Sequence, residues 1–263
     1  MVRAVTFILA CLCILCSCDD SVRDLQRYQL HGNVRHARVI SDNGEITDAF
    51  FGRSGMLDSV IITNSCDTLR HIYMYDRRGR LDEIQVLHRD GTYEALYEYE
   101  YKGRVLSAYT LSGRDMQVLF RCDFDIQDGK ATGYRCYNEE GILADICRLT
   151  YDGEDKTETH CSPDGEKLYE TTYRYAGAGR ISSIENEDLR IEVGYDQTGL
   201  PVVSRGAFIG PDGDIYSNED SRRYGMVRYE YILDDKGNWT ERSELLGDSE
   251  IIGKTIKRNI NYR

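Results

Sequence analysis

The sequence predicts an all-β protein: one repetitive antiparallel meander of about 16–18 strands, each of about 6–8 residues, whose sheet is coiled or rolled. Three observations point there. Turn-type glycines recur about every 12 residues, as at Gly79, Gly91 and Gly103, and again at Gly129, Gly141, Gly153 and Gly165. Many close a tetrad of the form Asp/Asn/Ser-x-x-Gly. Between them tyrosines alternate with charged residues, most plainly where Tyr93, Tyr97, Tyr99 and Tyr101 interleave with Glu94, Glu98 and Glu100. A repeat near 12 holds one strand and one turn, and a period of two puts alternate side chains on one strand face.

From the N-terminus, residues 1–17 read as an export signal. Arg3 supplies the positive charge, and Ala4–Leu15 is an uncharged, largely apolar run. That run is too short to cross a bilayer, which takes roughly 20 residues. Leu15-Cys16-Ser17-Cys18 resembles a bacterial lipobox, with Cys18 as the lipidation site and first mature residue. Cleavage before Cys16 would instead place bulky Leu15 where a signal peptidase needs a small side chain. Residues 18–24 form a tether, in which Asp19 and Asp20 stand where lipoproteins carry sorting information. A short helix is allowed between Asp20 and Tyr28, and no later segment has comparable helical spacing. The predicted location is the bacterial cell envelope, with the protein held by lipid at a periplasmic face or on the cell surface.

Residues 25–263 form one repetitive β-sheet domain without a linker or composition break. Asp76-Arg77-Arg78-Gly79, Asn138-Glu139-Glu140-Gly141, Ser162-Pro163-Asp164-Gly165, Asp196-Gln197-Thr198-Gly199 and Asp234-Asp235-Lys236-Gly237 are each read as a hairpin loop. Glycine takes the left-handed conformation after a type I turn, and the first side chain caps that turn. An apolar residue follows two positions after the glycine, as in Leu57, Leu81, Val105, Leu143, Ile181 and Trp239, and should seat the return strand. Because open sheets beyond about 10 strands curl, split or close, the tyrosines should line a concave side.

These residues also resemble a known group. Tyr75-Asp76-Arg77-Arg78-Gly79-Arg80-Leu81 is similar to the core of the YD repeat of Rhs-type proteins, with partial copies at Tyr137–Leu143 and Tyr195–Leu200. The stretch Leu233–Thr240 resembles a turn of envelope lipoproteins built from like hairpins. The resemblance implies a continuous spiralling sheet associated with carbohydrate binding or, in much longer members, with a shell around a toxin. A chain of this length is too short to enclose a protein cargo.

Composition narrows the function. A net charge of −12 argues against nucleic acid, whose binding needs cations to neutralise phosphates. Five cysteines lie in the β domain: Cys66, Cys122, Cys136, Cys147 and Cys161. An oxidising compartment permits disulfides, an odd count leaves one unpaired within the chain, and no C-x-x-C pair suggests a zinc site. The histidines His31, His36, His71, His88 and His160 form no metal-ligand spacing. Asp212, Asp214, Asn218 and Asp220 stand at alternating positions that invite a calcium-loop reading, but Tyr216 and Ser217 stand where an EF-hand needs an oxygen ligand and a glycine, so they read as a solvated acidic loop. No nucleophile elbow, phosphate-binding loop or dinucleotide fingerprint occurs. No cofactor, metal or catalytic residue is therefore predicted. The leading expectation is a noncatalytic protein, held at a membrane through its lipid, that presents a curved sheet to a glycan or protein ligand. An immunity-type protein that binds an effector and a carboxylate-based hydrolase are the alternatives.

Overall fold

The Asx-x-x-Gly tetrads set the architecture. At the first complete one, Asp76 Oδ1 accepts the amides of Arg78 and Arg80 at 2.8 and 3.0 Å, and the Gly79 amide donates to the Asp76 carbonyl at 2.9 Å. Gly79 sits at φ +80°, a conformation a Cβ would strain. Asn138, Asp196 and Asp234 repeat the pattern. One extra residue is accommodated beside most turns as a bulge, for example between Met74 and Tyr75.

The computed structural model describes residues 24–177, 179–209, 215–216, 225–247 and 250–263. The signal segment, Cys18, most of the tether, and Asp212, Asp214, Asn218 and Asp220 lie outside the described residues. A one-turn helix α1 (Asp24–Arg27) falls where a short helix is predicted. It precedes β1 (Val34–Ile40), β2 (Ile46–Phe51), β3 (Leu57–Thr63), β4 (Thr68–Tyr75), β5 (Leu81–His88) and β6 (Tyr93–Lys102). Next come β7 (Val105–Ser112), β8 (Val118–Gln127), β9 (Lys130–Asn138), β10 (Leu143–Asp152), β11 (Asp155–Cys161) and β12 (Lys167–Tyr175). The series ends with β13 (Ile181–Glu185), β14 (Leu189–Tyr195), β15 (Pro201–Ile209), β16 (Ile215–Tyr216), β17 (Met226–Leu233), β18 (Trp239–Leu246) and β19 (Ile252–Tyr262).

Apart from the short β16, each strand pairs antiparallel with the next in the ring, and β19 pairs back onto β1 through Ala37↔Ile260 and Val39↔Arg258. The rolled sheet expected from sequence is thus a closed barrel. The two-residue β16 only extends the hairpin at the end of β15, which pairs onward with β17, so 18 strands make the ring. Closure pairs β1 and β19 with each other, so neither is left as an edge that could template aggregation.

The tyrosine face carries the buried clusters, although Tyr93, Tyr151 and Tyr169 on it stay exposed. Tyr99, Tyr109 and Tyr134 are buried together with Ile84, Val86, Cys122, Cys136, Cys147 and Leu149, all contributed by the consecutive strands β5–β10. A second cluster joins Leu30 to Val34, Ala37, Ala49, Phe51, Leu57 and Val60, and a third gathers Leu200, Trp239 and Ile256. Each cluster is drawn from neighbouring stretches of the wall. The period of two puts these buried side chains on one face of the closed sheet, the concave one, and Glu98, Glu100 and Arg121 on the other.

The tyrosine hydroxyls give the repeat a specific bond. Tyr101 donates to the Leu81 carbonyl at 2.9 Å, Tyr195 to Ile181 at 2.6 Å, Tyr231 to Pro201 at 2.8 Å and Tyr75 to Leu57 at 3.0 Å. Every acceptor lies two residues past a turn glycine, on a preceding hairpin of the same end. Arg80 and Arg180, each directly after such a glycine, lie over the Tyr101 and Tyr195 rings at 4.4 and 5.5 Å. The Tyr and Arg of the YD-like core therefore tie successive hairpins together.

At the same end the segment after α1 packs against the wall. Asp24 Oδ2 accepts the Leu57 amide and the Tyr75 hydroxyl, each at 2.8 Å. Asn238, 0% exposed, accepts the His31 amide at 2.5 Å and donates to the His31 carbonyl at 3.0 Å and the Tyr262 hydroxyl at 2.6 Å. The buried Arg258 guanidinium donates to the carbonyls of Trp239 and Tyr28 at 2.9 Å each and lies over the Trp239 ring. Burial lowers its pKa to about 10 against the pull of Asp234.

Candidate functional site

Two cross-strand rows carry the polar chemistry of the β9–β15 wall, one on each face. The outward row is Arg174↔Ser183↔Glu192↔Arg205, four directly paired residues on β12, β13, β14 and β15. Their neighbours Tyr173↔Ile184 are also paired, and the period of two places the row on the face opposite the tyrosines.

The outward row borders a hollow of about 370 Å³, to which Arg190 also contributes. Gly194 helps make that space: a Cβ there would meet Val203 Cγ1 at 2.8 Å. Arg190 pairs with Glu192 at 2.7 Å, which offsets that carboxylate and leaves Arg174 and Arg205 as net positive charge. Ser183 is 7% exposed, and among the described residues neither its hydroxyl nor the buried Nε of Arg190 has a hydrogen-bond partner. Buried polar groups are nearly always bonded, so the hollow is lined by two donors whose hydrogen-bonding capacity is unused. Of the two carboxylates that an acid–base pair needs, the lining supplies one, Glu192.

The inward row is Tyr134↔Cys147↔His160↔Tyr169, on β9, β10, β11 and β12. Around it, Asp145 Oδ2 lies 3.0 Å from His160 Nδ1, Glu158 Oε2 is 3.7 Å from His160 Nε2, and Lys156 Nζ is 2.7 Å from Glu158 Oε1. Tyr169 stacks on His160 with ring centroids 4.4 Å apart. Burial works against a charge on His160, but hydrogen bonds to Asp145, Cys147 and Glu158 outweigh it and push its pKa up to about 12. Burial would raise the Glu158 pKa, yet the bonds from His160 and Lys156 hold it below the usual carboxylate range. Burial and the neighbouring Cys147 raise the Tyr134 hydroxyl pKa far above its ordinary value.

The cysteines divide as an odd count requires. Cys122 and Cys136, direct partners on β8 and β9, form a disulfide; Cys147 and Cys161 are buried thiols and Cys66 is exposed. Among the histidines, His36 stacks on Phe50 and bonds Asp48, while His88 lies between Asp67 and Glu94. Sequence reasoning missed both rows, because their members stand 9 to 13 residues apart with no linear motif. The signal that could have found them is the mirror pairing of residues about each turn.

No protein-family model matches the chain, and no curated protein matches it. Among solved structures it is similar to a porin-like protein from Bacteroides uniformis, at 9% identity and a TM-score of 0.43 over 88% of this chain and 99% of that one. It is also similar to a porin-like protein from Bacteroides vulgatus, at 14% identity and a TM-score of 0.42 over 78% of this chain and 98% of that one. A further match is to the TcdB2-TccC3-Cdc42 crystal structure, at 13% identity and a TM-score of 0.29 over 84% of this chain and 16% of that chain. The barrel itself rests on this chain's own strand pairings.

Proposed function

We propose that this protein is a noncatalytic, lipid-anchored component of the bacterial cell envelope whose barrel binds an anionic group, as on an acidic glycan, in the arginine-lined hollow. The observation that carries the reading is the Arg174–Ser183–Glu192–Arg205 row around a space with unbonded polar groups. Arginine forks suit carboxylate, sulfate or phosphate oxygens, and Ser183 adds a hydroxyl donor. The chain's −12 charge disfavours an extended polyanion, whereas a local surplus of two guanidiniums suits a single anionic group. The anchor rests on the Leu15–Cys18 motif. Lipid at Cys18 would hold the protein at a bilayer by acyl burial without a spanning helix.

Titration calorimetry with matched acidic and neutral oligosaccharides tests the ligand. The acidic member should bind, weaken with salt, and lose about tenfold in affinity with either Arg174→Gln or Arg205→Gln. Equal binding of the neutral member, or no binding of either, would reject the hollow as the site. Cys18→Ala should move the protein from the membrane to the soluble fraction, and unchanged fractionation rejects the anchor. A protein ligand is the second reading, favoured by exposed Met116, Val118, Leu119, Ile142 and Leu168 along alternate turns of one barrel end. A complex lost in Leu119→Lys and kept in Arg205→Gln would select it.

A further inference from the structure

On the inward row we propose that Cys147, Glu158 and His160 form a zinc-binding site, independent of the hollow on the other face. The thiol, carboxylate and imidazole come from two adjacent strands, and their ligand atoms all lie within 4.8 Å of one another. Zinc bonds of 2.0–2.3 Å in a tetrahedron place ligand atoms roughly 3.3–3.8 Å apart, so side-chain adjustments of about 1 Å complete the set. The 3.7 Å between His160 Nε2 and Glu158 Oε2 is already within that range.

The surrounding bonds orient the ligands as a metal site requires. Asp145 holds His160 Nδ1 at 3.0 Å, which fixes the ring and aims Nε2 at the site. A carboxylate behind a ligating histidine is the usual outer support of zinc sites. Lys156 holds Glu158 Oε1 at 2.7 Å, turning Oε2 toward the imidazole. Burial does not leave charge uncompensated: thiolate and Glu158 carboxylate balance a divalent ion, and Asp145 balances Lys156. Coordination sends the thiol proton and any proton on His160 Nε2 to solvent. The mixed sulfur, nitrogen and oxygen set favours zinc over calcium or magnesium, which take oxygen ligands. Three protein ligands leave the fourth position to water.

Cobalt(II) is the probe, added to full-length protein stripped with chelator and kept from thiol oxidation. One equivalent should bind with a thiolate-to-cobalt charge-transfer band, and zinc should displace it. Cys147→Ser should abolish the band, Cys161→Ser on the next strand should keep it, and Asp145→Asn should keep it at about 10–100-fold weaker affinity. No band in the wild type, or a band that survives Cys147→Ser, overturns the proposal. If Cys147→Ser fails to fold, X-ray absorption of the zinc-loaded wild type decides: one sulfur with nitrogen and oxygen neighbours supports the site, and a shell with no sulfur or with several overturns it.

Discussion

Replacing tyrosine by phenylalanine at positions 75, 101, 195 and 231 tests how the hairpins are tied together. Each change keeps the ring and removes one hydroxyl. For Tyr101, Tyr195 and Tyr231 the loss is a neutral bond to a main-chain carbonyl at 2.6–2.9 Å, worth about 0.5–1.5 kcal/mol net. Tyr75 differs because its hydroxyl lies 2.8 Å from the Asp24 carboxylate as well as 3.0 Å from the Leu57 carbonyl. Burial, followed by the Asp24 charge, raises its pKa well above the ordinary tyrosine value, so it stays a donor. A bond to a charged acceptor is worth about 1.5–3 kcal/mol, which makes Tyr75→Phe the costliest of the four. The four hydroxyls bond four different carbonyls, so the quadruple variant should lose about 3–7 kcal/mol. Equilibrium urea unfolding followed by circular dichroism measures this as a lower midpoint at unchanged slope. A loss under about 1 kcal/mol in the quadruple variant, or a Tyr75→Phe cost no greater than the others, would mean that these hydroxyls do not tie the hairpins.

Asn238→Ala should cost about 1.5–4 kcal/mol by removing three bonds at the N-terminal closure, and faster hydrogen exchange at the His31 amide locates the effect. Burial lowers the His71 pKa, so the unfolded chain binds that proton more tightly. Its contribution is fully present above about pH 6.5 and is lost as pH falls from there toward the folded-state value. His88 and His160 have raised values and act with the opposite sign, so the difference in midpoint between wild type and His71→Gln from pH 7 to 5 isolates His71. Changing Cys122 and Cys136 together to serine should lower stability by about 3 kcal/mol, the chain-entropy value for a loop near their 14-residue separation. An unchanged midpoint under non-reducing conditions would contradict that.

Much of the fold is legible in the chain. The tetrads are hairpin turns because Asx caps the turn and Gly79 and its equivalents take positive φ. The alternation of Tyr97, Tyr99 and Tyr101 with glutamates foretells a buried face and a charged one. The candidate sites were not legible, and bulges are the reason. Counting back from the turn at Tyr175↔Ile181 would pair Arg174 with Ser182, whereas the bulge there pairs it with Ser183. A slip of one residue moves every later side chain to the other face. The same applies to Cys147, which meets Tyr134 only after the irregularity between Leu143 and Asp145.

Local grammar is written in the chain itself, in its turns and its period-two alternation. Those are matters of neighbouring residues, where φ preference, capping and hydropathy act within one hairpin. The tertiary structure decided that β19 returns to β1, that Cys122 meets Cys136, and that Cys147, Glu158 and His160 share one small space. It also gathered Arg174, Ser183, Glu192 and Arg205 into a single row. Closure and cross-strand rows depend on register accumulated over many bulged hairpins, and no single stretch of chain encodes that sum.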